Sequence, residues 1–125
     1  MKILDTLQYT KGHEWIQIEN GEATIGITDY AQGELGDIIF IEFPEAGDKF
    51  NAGDSIGTIE AVKTVADLFT PLAGEISEIN LKLEDEPDAI NKDPYERGWI
   101  IKLTNIVEEG KSQLLIASEY KNYIN

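Results

Sequence analysis

Few side chains in this sequence can do chemistry. It contains no cysteine and a single histidine, His13. That excludes disulfides, thiolate zinc sites, cysteine nucleophiles and any site with two histidine ligands from one chain. A Ser-His-Asp triad would have to use His13. The most informative reactive group is Lys63, the one basic residue in the 14-residue β-type run from Ile56 to Phe69. An amine on a flexible stem, displayed by rigid strands, can enter a modifying enzyme and be acylated there. The acyl group would then lengthen the reach of the lysine, and the chain would work as a carrier whose attached group does the chemistry. The competing reading is an ordinary solvated lysine.

Around Lys63, the residues Glu60, Ala61, Val62, Thr64 and Asp67 are candidate recognition groups for a modifying enzyme, with plain hairpin surface as the alternative. His13 and Glu14 are candidates for a cleft in which a loaded arm rests, because an imidazole and a carboxylate can hold an amine. The plainer alternative is a strand start whose Trp15 packs into the core. The acidic cluster Glu84-Asp85-Glu86-Pro87-Asp88 lacks the Asp/Asn-Gly spacing of a calcium loop and reads as solvated loop. No metal site and no phosphate-binding glycine motif is expected.

The elements that must position Lys63 are short strands separated by Gly, Pro, Asn and Asp. A strand of about 5–6 residues is typical, so the Ile56–Phe69 run is expected to fold back on itself near Lys63, although no Gly, Asn or Pro marks that turn. Trp15–Glu19 and Ala23–Ile27 flank Asn20-Gly21, a tight hairpin signal. Further strands are expected at Asp37–Phe43, Asp48–Phe50, Glu75–Asn80 and Trp99–Leu103, with Trp99 and Ile101 in or half in the core. Thr28 can cap a short helix from Asp29 to Leu35 that Gly36 ends. Pro87 can open a turn or helix over Asp88-Ala89-Ile90. The tail from 112 to 123 has a helical pattern, with Leu115, Glu119 and Tyr123 along one side. Gly36-Asp37-Ile38 and Gly74-Glu75-Ile76 lie 38 residues apart and suggest two similar halves.

The chain has 125 residues, 42% of them hydrophobic, which fits one folded domain over 1–125 with a core at about 9–104. Lys and Arg total 10 against 24 Asp and Glu, a net charge of −14. Such a surface repels phosphate backbones and anionic lipid, so nucleic acid and membrane are not expected partners. Basic faces of other proteins are. No apolar run approaches the ~18 residues of a membrane span, and Met1–Asp5 lacks the apolar core of a secretory signal, so a cytoplasmic protein is expected.

Read in order, Tyr9–Trp15, Gly26–Gln32 with Leu35–Ile38, Phe43–Asp48, Ile59–Lys63, Pro71–Ile76, Asn91–Tyr95 and Gly98-Trp99 resemble the glycine cleavage H-protein family over nearly the whole chain. The resemblance implies a mainly β fold, a flattened lipoyl/biotinyl-type barrel with short helices and a C-terminal helix. It implies lipoate, amide-linked to Lys63, and no catalytic residue in the carrier itself. It implies four partners: glycine decarboxylase (a pyridoxal-phosphate enzyme), a tetrahydrofolate-dependent aminomethyltransferase, dihydrolipoyl dehydrogenase and a lipoate-attaching enzyme. The carrier takes the aminomethyl group from the first to the second and returns dihydrolipoyl to the third. Ala61, Thr64 and Ala66 stand where the family often has Ser, and Ala or Ser. Alternatives are an H-like lipoyl carrier serving lipoyl relay or sulfur metabolism, an unmodified interaction module, and a biotin carrier. Biotin carriers usually flank the lysine with Met, whereas Lys63 has Val62 and Thr64.

Overall fold

The computed structural model describes residues 1–107 and 113–125. The chain forms β1 (Gln8–Tyr9), β2 (Glu14–Glu19), β3 (Glu22–Ile27), α1 (Asp29–Leu35), β4 (Ile38–Glu42), β5 (Lys49–Phe50), β6 (Ser55–Ala61), β7 (Val65–Phe69), β8 (Ala73–Ile79), α2 (Lys82–Asp85), α3 (Ala89–Lys92), β9 (Ile101–Val107) and α4 (Ala117–Ile124). Two antiparallel sheets result. One has six strands in the order β1-β2-β3-β9-β8-β5, and the other three in the order β4-β6-β7. They face each other across a core of aliphatic side chains that includes Ile16, Ile25, Ile59, Leu68, Ile76 and Ile101. This is the expected flattened barrel-sandwich. No helix among the described residues is long and apolar enough to cross a membrane.

Local chemistry explains most elements. Asn20 and Gly21 both take positive φ, 53° and 76°, which sets the tight turn between β2 and β3. Thr28 caps α1, its hydroxyl accepting from Ala31 N at 3.2 Å. Gly36, at φ 77°, ends the helix with its N–H bonded to Gln32 O. β4 lies antiparallel to β6, and β8 lies antiparallel to β9. Ile38 and Ile76, equivalent in the two halves, are both buried.

Three expectations need correction. The tail helix starts at Ala117, not near 112; residue 112 itself lies outside the described residues. Leu115 is held instead in a strand-like bridge, with Tyr9 N donating to Leu115 O (2.8 Å) and Leu115 N to Tyr9 O (2.7 Å). Ala117 and Tyr120 are the buried residues of the helix, and Tyr120 stacks on Tyr9 with ring centroids 4.6 Å apart. The last strand begins at Ile101, with both Ile100 and Ile101 buried, while Trp99 stays half-buried under Lys102. Glu84 and Asp85 belong to α2, anchored by buried Leu83, rather than to a loop. In β4, a register shift between Ile38 and Phe40 breaks the alternation, so Ile39 and Phe40 are both exposed.

Candidate functional site

β6 and β7 make the hairpin that carries Lys63. Their registers pair Glu60 with Val65, Ile59 with Ala66 and Thr58 with Asp67. Ile56, Ile59 and Leu68 point into the core and hold the hairpin down. The tip is a tight turn in which Ala61 N donates to Thr64 O at 2.8 Å. Val62 N donates across to Asp37 O at 3.0 Å, tying the tip to the segment between α1 and β4. Lys63 is exposed and makes no ion pair or hydrogen bond among the described residues. A free amine on a short, twice-anchored turn is a group that another enzyme can reach in a fixed place.

The outer face of this sheet is apolar and acidic. Phe40, Glu60 and Val65 form one cross-strand row, and Glu42, Thr58 and Asp67 the next. Phe40 is 54% exposed, Val65 60% and Val62 66%, so large apolar side chains stand out to solvent beside the tip. Glu60, Val62, Thr64 and Asp67 thus share the neighbourhood of Lys63, whereas Ala61 is buried beneath the turn.

Following β7 away from the tip leads to a cavity of about 1200 Å³ lined by Thr10, Gly12, Glu14, Phe69, Thr70 and Leu115, among others. At about 3.3 Å per residue, Phe69 lies about 13 Å along β7 from Val65, the first strand residue after the tip. Glu14 is the only carboxylate among the described residues that line it. It is 5% exposed and accepts a hydrogen bond from the Thr10 hydroxyl, which in turn accepts from Glu14 N at 3.0 Å. Gly12 leaves the carboxylate room, since a Cβ there would lie 3.1 Å from Glu14 Oε1. Burial raises the Glu14 pKa above the usual carboxylate range, and the Thr10 hydroxyl and nearby backbone N–H groups oppose that rise.

His13 is not in this cavity. It closes a turn (N to Thr10 O, 3.1 Å) with φ 69°, and this left-handed residue turns its side chain away from that of Glu14. Its ring lies among Tyr30, Tyr120 and Tyr123, with Nδ1 3.0 Å from Tyr120 Oη. Tyr120 Oη also lies 2.7 Å from Thr28 Oγ1. Burial lowers the His13 pKa, with the Glu34 charge opposing, and pushes that of Tyr120 up to about 12. His13 therefore fastens α4 to the barrel, and Glu14 alone of the pair faces the cavity. Thr70, which also lines the cavity and donates its hydroxyl to Leu72 O, carries no distinguishing signal in the sequence. A second cavity, of about 610 Å³ beside Asn80, Arg97 and Trp99, contains none of the candidate residues. No group of three or more His, Cys, Asp or Glu able to hold a metal occurs among the described residues.

The upward shift at Glu14 has a sign that can be tested. A carboxylate whose folded pKa exceeds its unfolded value contributes stability below the unfolded pKa and loses it as pH rises through the folded pKa. The stability that Glu14 contributes is therefore lost as pH rises. We expect Glu14→Gln to be as stable as the natural chain or more so at pH 7–8, with a weaker pH dependence of Tm below that. A clear loss of Tm at pH 8 would contradict this.

A family model described as Glycine cleavage H-protein matches residues 7–125. The glycine cleavage system H protein of Staphylococcus epidermidis is 47% identical over 124 residues, 99% of this chain and 98% of that protein. The glycine cleavage system H protein of Listeria innocua is 50% identical over 121 residues, 97% of each. The crystal structure of a glycine cleavage system H protein from Mycobacterium marinum superposes with a TM-score of 0.87 at 40% identity, covering 96% of this chain and 97% of that one.

Proposed function

The chain belongs to the glycine cleavage H-protein family, and we infer from that premise that it is a lipoyl carrier of glycine cleavage whose cofactor is joined to Lys63. The observation that carries the attachment site is the Lys63 amine, exposed and unpaired among the described residues on a turn anchored at Ala61 and Val62. The residues fit the group: a lysine amine forms an amide with lipoate, and among the described residues no ion pair or hydrogen bond engages it. When bound, lipoate supplies the chemistry, a dithiolane that takes up an aminomethyl group and is left as a dithiol. The side chains of this chain position, shelter and present it.

Glu60, Val62, Thr64 and Asp67 present the lysine to the lipoate-attaching enzyme, and buried Ala61 sets the turn beneath it. The acidic and apolar outer face of the hairpin suits the basic surfaces of the other glycine cleavage components: glycine decarboxylase, aminomethyltransferase and dihydrolipoyl dehydrogenase. Glu14 supplies a buried negative charge in a cavity on the same strand as the tip, suited to hold the amine of the carried group between enzymes. His13 supports that cavity indirectly by keeping α4 in place. The chain itself then needs no catalytic residue.

The test is an intact mass of the protein from its native host, with a peptide map across Lys63. A lipoyl adduct on Lys63 is expected. No adduct, in cells whose other lipoyl proteins are modified, would overturn the reading, and so would an adduct on another lysine.

A further inference from the structure

The Asn91–Tyr95 segment stands out in the sequence, yet nothing in the carrier function so far uses Asn91. Its side chain makes three hydrogen bonds, and all converge on the support of the lysine turn. Asn91 Oδ1 accepts from Ile38 N at 3.0 Å. Asn91 Nδ2 donates to Gly36 O at 2.8 Å and to Gln32 Oε1 at 3.0 Å. Gln32 is itself held, its Nε2 donating to Asp29 Oδ1 at 2.7 Å. The amide thus straddles Gly36-Asp37-Ile38 from the short helix α3.

The peptide unit in the middle matters most. The N–H of Ile38 and the C=O of Asp37 belong to one peptide bond. Asn91 takes the N–H, and the C=O accepts from Val62 N, the residue before Lys63, at 3.0 Å. A trans peptide is planar, so fixing the direction of its N–H fixes the direction of its C=O. Hydrogen bonds on both ends also polarise one another. Gly36, at φ 77°, would otherwise leave this segment free to swivel after α1.

We propose that Asn91 is a positioning residue for lipoyl attachment and transfer, setting the Lys63 turn through the Asp37–Ile38 peptide. The role rests on Lys63 being the attachment site. Without Asn91 the hairpin keeps its strands, but Val62 N loses an oriented acceptor and the amine is displayed over a wider range of positions. An enzyme that must receive the lysine in one geometry then binds the carrier less well, while its chemistry on a correctly seated lysine is unchanged.

The experiment compares the full-length unmodified protein with Asn91→Ala, Asn91→Asp and Asn80→Ala. Asn80 is a matched control. It pins backbone in the same way, Nδ2 donating to Arg97 O (3.0 Å) and Trp99 O (2.8 Å), but next to the six-stranded sheet. Amide exchange at Val62 is read by NMR, and lipoate attachment by steady-state kinetics with a lipoate-attaching enzyme. For Asn91→Ala, Val62 exchange is expected to rise about tenfold. KM for the carrier is expected to rise about fivefold with kcat unchanged. Asn80→Ala should move neither, whatever it does to Tm. Asn91→Asp keeps the acceptor for Ile38 N and loses the two donations, so it should fall between; it decides the matter if Asn91→Ala does not fold. Unchanged Val62 exchange in both Asn91 variants overturns the proposal, as does an equal change in Asn80→Ala. Absence of lipoate on Lys63 of the natural chain is a different result: it removes the carrier reading and with it the role proposed for Asn91.

Discussion

Lys63→Arg is expected to abolish carriage altogether while leaving the fold as it was. Arginine keeps the positive charge and most of the stem, but its guanidinium stays protonated and forms no lipoyl amide. Lys63 is exposed, and the turn beneath it is held by backbone bonds at Ala61 and Val62 rather than by the lysine side chain. The change in stability should therefore stay within about 0.5 kcal/mol. The mass of the purified variant should show no adduct. Glycine-dependent exchange of labelled bicarbonate, with the other components supplied, should drop to the level seen with no carrier. Retained exchange would mean that another lysine carries the cofactor.

The largest effect on stability is expected at Gly57, in β6 below the tip. A Cβ there would lie 2.5 Å from the backbone oxygen of Glu42, so even alanine must push β4 off its neighbour. The site sits where the β6–β7 register shifts, between Ser55 and Gly57, and the strands have no slack there. Gly57→Ala should cost about 2–3 kcal/mol and lower Tm by about 10 °C. Gly33→Ala is the contrasting case. Gly33 is inside α1 with nothing within 4 Å of a new Cβ, so the substitution should add about 0.5–1 kcal/mol through backbone entropy and helix propensity. Thermal melts of the two variants beside the natural chain check both signs. Equal stability of Gly57→Ala would show that β4 yields easily.

The parts of this architecture that rest on local rules were legible from the residues. Asn20-Gly21, the Thr28 cap and the Gly36 stop each act within four residues, and each occurs where the pattern places it. The hairpin around Lys63 was legible only through the length of its β run, because the turn uses Val62 and Lys63 rather than turn formers. What stayed hidden depends on partners far along the chain. Leu115 leaves the tail helix because Tyr9 offers it a backbone bond. Ile39 and Phe40 face outward together because of a shift against β6. His13 and Glu14 are neighbours in sequence, yet the left-handed backbone at His13 sends them to different places. Asn91 lies in a segment that the sequence marks, but its bonds to Ile38 and Gly36 span 53 and 55 residues and leave no local signal.

The placement of β9 bears on how the molecule is made. This strand begins at residue 101 of 125, yet it lies between β3 and β8 in the six-stranded sheet. A nascent chain on the ribosome can close the Lys63 hairpin early, because β6 and β7 are neighbours in sequence. It cannot join its two larger halves until β9 has emerged, and Tyr9 waits longer still for Leu115. Folding is therefore dominated by distant pairings, and such topologies complete in milliseconds to seconds rather than microseconds. Lys63 can therefore be displayed on its hairpin before β9 completes the six-stranded sheet, and the Tyr9–Leu115 bridge closes later still.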